Sequence, residues 1–248
     1  MNWIATGITD RGLRRPSNED VFRVREDIGL FLVADGMGGH AAGDVASGIA
    51  AEVVERETSR ALEAGAAPSA KLLAEAVEAA HRAIVDRSEA EPALSGMGTT
   101  LTAALVEADA SLLHLAHVGD SRAYLLRDGE LRRLTRDHTW VQQQVDTGRL
   151  SEAEARIHPG ANVLLRALGG NAESVEVDTD QVPLSAGDLL LLCTDGLSGT
   201  VDDGDLLAIL DRPLPLETIA NQLVEAARLR GGPDNITAVL VRFAPSGQ

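Results

Sequence analysis

Four aspartates set at the ends of aliphatic runs constrain this chain more than any other feature. The first follows Leu30-Phe31-Leu32-Val33-Ala34, which reads as a buried strand, and it opens Asp35-Gly36-Met37-Gly38-Gly39-His40. The second ends the run 111–118 in Gly119-Asp120-Ser121, and the third ends the run 188–193 in Thr194-Asp195-Gly196. The fourth lies just before a strand, in Gly231-Gly232-Pro233-Asp234-Asn235. Singly each reads as a turn, because Asp and Gly dominate turns. Adjacent antiparallel strands can carry all four to one rim of a sheet stack, where the carboxylates would repel one another unless cations lay between them. Oxygen ligands with no cysteine, and with no histidine pair at ligand spacing, select Mg²⁺ or Mn²⁺ over Zn²⁺. Two such ions about 3.5–4 Å apart can lower the pKa of a shared water and clamp an in-line displacement at phosphorus.

Charge narrows the partners. The chain has 22 Lys and Arg against 38 Asp and Glu, a net charge of −16. That argues against nucleic acid and anionic membrane surfaces, and an anionic substrate would have to meet metal ions or a few arginines. Hydrophobic residues make up 44% of the chain and aromatics 2%, so the core must be aliphatic. The single cysteine, Cys193, stands in an apolar run and reads as a buried small residue; no internal disulfide can form, which suits a reducing compartment. No basic-then-apolar leader is visible, and no apolar run approaches the ~20 residues that span a bilayer. The expectation is a soluble, cytoplasmic monomer.

Periodicity supplies the elements. Strands are expected at 2–8, 21–25, 29–34, 98–106, 111–118, 188–193 and 236–243, with an edge strand at 174–180. A hairpin through Asp128-Gly129 joins 122–127 to 130–134. A helix from 41 to about 60 has Val45, Ile49, Val53 and Val54 at helical spacing, and a second, capped by Ser69, runs to about 90 with Leu72, Leu73, Val77 and Ile84 inward. Further helices are expected at 137–150, at 151–156 behind a Ser151–Glu154 capping box, at 203–211 and at 216–229. Residues 135–170 are polar and read as an excursion from the core, a flap over the site with Trp140 as its packing anchor. No repeat or linker divides residues 1–248, which read as one domain.

The order Arg15-x-x-Asn18-Glu19-Asp20, Asp35-Gly-Met-Gly-Gly-His40, Gly98-Thr-Thr100, Val118-Gly-Asp-Ser-Arg122, Cys193-Thr-Asp-Gly-Leu197 and Gly232-Pro-Asp-Asn-Ile-Thr237 resembles the metal-dependent protein phosphatases, the type 2C serine/threonine phosphatases, in their bacterial form. The likeness runs from about residue 4 to about 243. It implies an α+β fold, a four-layer αββα sandwich of two antiparallel sheets flanked by helices, with the metals in a cleft at one end. By motif, Asp35 would bridge two Mn²⁺ or Mg²⁺ ions, the Gly36 carbonyl would ligate one, and Asp195 and Asp234 would complete the pair. Glu19 and Asp20 would hold metal-bound waters, and Asp120 with Asp195 would suit a third ion. Arg15 would grip the substrate phosphate, which makes Arg15 and Asp35 the catalytic pair, and Asn235 would orient Asp234 or a metal-bound water. Residues 135–170 fall where bacterial members carry their flap.

The implied activity is hydrolysis of phosphoserine and phosphothreonine in proteins by direct attack of the bridging water. Its substrates would include a serine/threonine kinase. One departure concerns the proton for the leaving group. Many eukaryotic members carry His directly after Asp-Gly, whereas this chain has Met37, which cannot donate. His40 and a metal-bound water are the alternatives, and His40 also reads as a hydrogen bond that steadies the glycine loop. The remaining histidines suggest no metal spacing. Two other readings share the motifs: a catalytically silent sensor or scaffold that binds a phosphoprotein, and a switch phosphatase dedicated to one anti-sigma-pathway protein. Retention of every matched acid favours an enzyme, and the absence of an attached sensor favours a stand-alone one.

Overall fold

Side chains on a strand alternate between its two faces, and here both faces of the central strands are apolar. The computed structural model describes residues 1–38, 41–170 and 172–245. In chain order its strands are β1 (Asn2–Asp10), β2 (Asp20–Arg25), β3 (Leu30–Met37), β4 (Gly98–Thr99), β5 (Leu101–Val106), β6 (Leu112–Val118), β7 (Arg122–Arg127), β8 (Glu130–Arg133), β9 (Leu168–Gly169), β10 (Asp178–Pro183), β11 (Leu189–Cys193) and β12 (Ile236–Ala244). The helices are α1 (Ala41–Glu63), α2 (Ala70–Ala90), α3 (Trp140–Asp146), α4 (Glu152–Arg156), α5 (Asp195–Ser198), α6 (Asp203–Leu210) and α7 (Leu216–Leu229). One sheet has the order β1-β12-β11-β7-β8; the other has β10-β6-β5-β3-β4-β9, with β2 on the opposite edge of β3. The strand pairs in both sheets are antiparallel.

Alternation sorts the core into three apolar seams. Leu30, Leu32, Leu101 and Leu105 pack with Val54, Leu73, Val77 and Ile84 of α1 and α2. Phe31, Val33 and Ala104 face Leu190, Leu192, Val239 and Val241 between the sheets. Leu189, Leu191 and Leu240 meet Ile219 and Leu223 of α7. Helices, sheet, sheet, helices is the expected αββα sandwich, and its core is aliphatic apart from Tyr124, Phe31 and Phe243 among the largest buried side chains. Cys193 is fully buried, and burial pushes its thiol up to about 12, so it packs rather than reacts.

Local signals hold where the chemistry is local. Ser69 accepts from the Leu72 N–H, and Ser151 with Glu154 forms the capping box in full. Asp128 (φ 51°) and Gly129 (φ 77°) make the two positive-φ positions that a tight hairpin demands. Tertiary pairing overrides the rest. The helix expected at 137–150 shrinks to Trp140–Asp146, because the His138 N–H is drawn to the Gly119 carbonyl and Thr139 caps the helix instead. The edge strand lies at Asp178–Pro183 rather than 174–180, since residues Leu112–His117 of β6 supply its partners. β3 continues past Asp35 to Met37, because Gly36 and Met37 find new partners in Thr99 and Gly98. Asp195 opens a helical turn, α5, where a strand end alone was expected. Trp140 packs on His158, ring centroids 5.0 Å apart, within the 135–170 segment.

Candidate active site

The site is assembled where β3, β5, β6 and β11 run out at the same end of the two sheets. Asp35 is held by its backbone: its N–H donates to Thr100 Oγ1 (3.0 Å), and its carbonyl accepts from the Thr100 N–H (2.9 Å) and from Thr99 Oγ1 (2.9 Å). The next residue must be glycine, because a Cβ at Gly36 would lie 2.1 Å from the Gly43 carbonyl oxygen. Gly196, beside Asp195, is as tightly fixed: a Cβ there would lie 1.8 Å from the Asn235 carbonyl oxygen. Asp234 accepts from the Asn235 N–H (2.8 Å) and from Arg15 Nη2 (2.5 Å).

Arg15, Glu19, Asp35, Gly36, Asp120, Asp195, Asp234 and Asn235 line one cavity of about 310 Å³, with Met37, Asn162 and Leu164 also on its wall. Arg15 is the one basic residue among those lining it. Asp20, opposite Asp35 in the β2–β3 register, stands behind the wall. Its Oδ2 accepts from Thr194 Oγ1 (2.8 Å) and Thr237 Oγ1 (2.6 Å), and its Oδ1 is buried without a partner.

This enclosure makes ionisation costly. Burial raises the Asp20 carboxyl to about 7, against the relief given by the Thr237 and Thr194 hydroxyls. Burial also lifts Asp35 well above the usual carboxylate range, reinforced by the charges of Asp20, Asp195, Asp120 and Asp234. Asp120 is raised by burial and then by Asp195; Asp195 is raised by burial and then by Asp234. Asp35, Asp120 and Asp195 keep some exposure toward the cavity but are otherwise enclosed by protein. Asp195 Oδ1 is a buried oxygen without a partner. Among the described residues no three acids meet in a finished single-ion site; they ring the cavity instead. Crowded carboxylates, orphaned oxygens and a lone arginine make a donor set that fits hard divalent cations.

Most of the expected residues therefore converge, and two of them make bonds that their motifs do not announce. Arg15 is not free: its guanidinium is committed to Asp234. Asn235 meets Asp234 through its backbone N–H, and its side chain bonds elsewhere. Its Oδ1 accepts from the Glu19 N–H (2.8 Å) and its Nδ2 donates to the Arg11 and Ser17 carbonyls (2.9 Å each), so it clamps the loop that bears Arg15. His40 lies outside the described residues. Sequence reasoning gave no role to Thr99, Thr100, Thr194 and Thr237, which secure Asp35 and Asp20; hydroxyls inside otherwise aliphatic runs beside the acids were the available signal. Asn162 and Leu164 reach the cavity from the 135–170 segment, and nothing in their local sequence marks them.

The family model of protein phosphatase 2C matches residues 14–239. The chain belongs to the protein phosphatase 2C family. It is 47% identical over 232 residues to the serine/threonine protein phosphatase PstP of Mycobacterium tuberculosis, covering 94% of this chain and 43% of that protein. The chain thus spans less than half the length of that relative. It is 43% identical over 239 residues to the serine/threonine phosphatase Stp of Listeria monocytogenes, covering 94% of this chain and 93% of that one. Among solved protein phosphatase 2C structures, that of M. tuberculosis PstP superposes with a TM-score of 0.90 at 41% identity over 99% of this chain and all of that one. A PstP catalytic domain in complex with two manganese ions superposes with a TM-score of 0.87 at 41% identity, over 98% of this chain and 99% of that one.

Proposed function

We propose that this chain is a metal-dependent serine/threonine protein phosphatase. The observation that carries the reading is the cavity itself: acids from four separate strand ends, of which Asp35, Asp120 and Asp195 are raised by burial and by neighbouring carboxylates, facing a single arginine. Asp35, the Gly36 carbonyl, Asp195 and Asp234 would hold a pair of Mn²⁺ or Mg²⁺ ions, Glu19 and Asp20 would act through their waters, and Asp120 with Asp195 would take a third. Bound there, such ions supply an activated water and neutralise phosphoryl oxygens.

The chain's own residues do the remaining work. Arg15 presents a planar fork to phosphate oxygens, and Asp234 aims it when the cavity is free of substrate. Asn235 fixes the loop that carries Arg15. Met37 lines the cavity and has no proton to give, so the leaving alkoxide takes its proton from another group. Residues 135–170 act as a flap of the one domain, with Asn162 and Leu164 as its edge over the cavity. The relatives' names support phosphoserine and phosphothreonine proteins as substrates. A kinase that phosphorylates such residues would be among them. We place the protein in cytoplasmic signalling as a monomer; no helix among the described residues is long and apolar enough to cross a membrane. A silent scaffold would have no use for these buried acids.

Release of phosphate from a phosphothreonine peptide, with Mn²⁺ and with EDTA, tests the reading. Asp35→Asn and Asp234→Asn should each lower the rate on the order of 100-fold, the upper end of what even an outer partner of a metal costs. Activity that survives EDTA in the wild type would overturn it.

A further inference from the structure

Both hydrogen-bonding groups of Gly119, the residue before Asp120, are taken by one side chain and its backbone. The His138 N–H donates to the Gly119 carbonyl (2.7 Å), and the Gly119 N–H donates to His138 Nδ1 (3.1 Å). Gly119 adopts φ +109°, and a Cβ there would lie 2.6 Å from the Thr100 side chain, so the turn is confined on its other side as well. Because Nδ1 accepts, the ring proton sits on Nε2, which donates to Asp178 Oδ2 (3.0 Å). Asp178 Oδ1 in turn accepts from Arg166 Nη1 (2.6 Å). The His138 carbonyl accepts from the Leu165 N–H (2.7 Å), near the far end of the 135–170 segment. The buried ring lies against His117, centroids 4.7 Å apart. His138 thus joins, through its ring and its backbone, the turn that bears Asp120, both ends of the 135–170 segment and the edge strand β10.

We propose that His138 is a positioning residue: by gripping Gly119 through Nδ1 it sets the Asp120 carboxylate, and so how firmly the Asp120–Asp195 end of the cavity holds a divalent ion. The inference rests on the metal-dependent reading. It does not require His138 to touch substrate or metal. The outer partner of a metal ligand typically changes metal affinity by about 10–100-fold when removed.

The two amide replacements separate the ring's two bonds. Asn at 138 keeps an acceptor oxygen near the Nδ1 position and loses the reach to Asp178, whereas Gln reaches toward Asp178 and offers no acceptor to Gly119. Mn²⁺ binding is measured by titration calorimetry on wild type, His138→Asn and His138→Gln, and the Mn²⁺ dependence of p-nitrophenyl phosphate hydrolysis is followed beside it. The expected result is a roughly tenfold loss of affinity in the weakest class of Mn²⁺ sites for His138→Gln, with His138→Asn within about twofold of wild type and the tightest class unchanged in both. The half-saturating Mn²⁺ for hydrolysis should rise in parallel. Equal behaviour of the two variants, or a change confined to melting temperature, would overturn the proposal and leave His138 as packing. Absence of hydrolysis in the wild type would sink the phosphatase reading instead, while the calorimetry would still decide the role of His138.

Discussion

His117 shows how a single buried ring ties stability to pH. Its Nδ1 lies 2.9 Å from Thr102 Oγ1 and its Nε2 3.1 Å from the Arg136 carbonyl, and burial, then the neighbouring His138, lowers it from 6.5 to about 4. Between those values the unfolded chain binds a proton that the folded chain refuses, so this group's contribution is full above 6.5 and is lost as pH falls toward 4. The full difference is on the order of 3 kcal/mol. Denaturant unfolding of wild type and His117→Asn at several pH values checks it: the stability gap between them should narrow on acidification. Three acids of the site were legible in the sequence because each ends an aliphatic run beside a glycine, and Asp234 because it follows Gly-Gly-Pro just before a strand. Asn235 was legible as part of the motif but not in its task, since only the fold brings the Arg11 and Ser17 carbonyls to its amide. Asp20 was expected at the metals through water, and no local signal announces that two distant threonines hold one of its oxygens.

At the scale of elements, the break between β4 and β5 positions the chemistry. β3 pairs β5 through Leu30–Val33 and β4 through Gly36 and Met37, and Thr100 stands at the change of partner. Its hydroxyl accepts from the Asp35 N–H and meets Ser121 Oγ at 2.7 Å. Thr100→Val keeps the shape and deletes both bonds, which should cost about 1–3 kcal/mol because a buried N–H loses its acceptor. Thr100→Ser should recover most of it, as read by urea unfolding. The run 98–106 reads as one strand in the sequence; the division at Thr100 comes from two partners, β3 and β9, that periodicity cannot see. Helix α7 was legible to the residue, Leu216–Leu229, because an amphipathic surface helix carries its own signal. Helix α3 was not, because a long-range bond at His138 decides where it starts.

For the whole molecule, the acid cluster works against folding until it is neutralised. Asp20, Asp35, Asp120 and Asp195 all have folded-state values above 3.8, with Asp20 at about 7. Over that range the folded state keeps protons that the unfolded chain has released, and because the Asp20 shift alone exceeds the opposing one of His117, metal-free stability falls as pH rises from about 4 through neutrality. In EDTA the melting temperature should drop from pH 5 to pH 8. Mn²⁺ at about 100 times its dissociation constant should restore about 2.7 kcal/mol, or roughly 5–10 °C for a domain of this size. Thermal scans with EDTA and with Mn²⁺ at the two pH values read both effects, and a melting temperature that climbs with pH in EDTA would contradict them. A net charge of −16 gives this balance a global setting, since divalent ions also relieve self-repulsion across the molecule. The four layers were foreseeable through the family resemblance, with which the element order agreed; the meeting of acids 199 residues apart, Asp35 and Asp234 (234 − 35 = 199), required the closed sandwich.

The chain has two tryptophans, Trp3 on β1 and Trp140 packed on His158 within residues 135–170. With Trp3 replaced by phenylalanine, indole emission would come from Trp140 alone, beside an imidazole able to quench it. The molecule carries a built-in optical probe of that segment, so any rearrangement around Trp140 can be followed without attaching a dye.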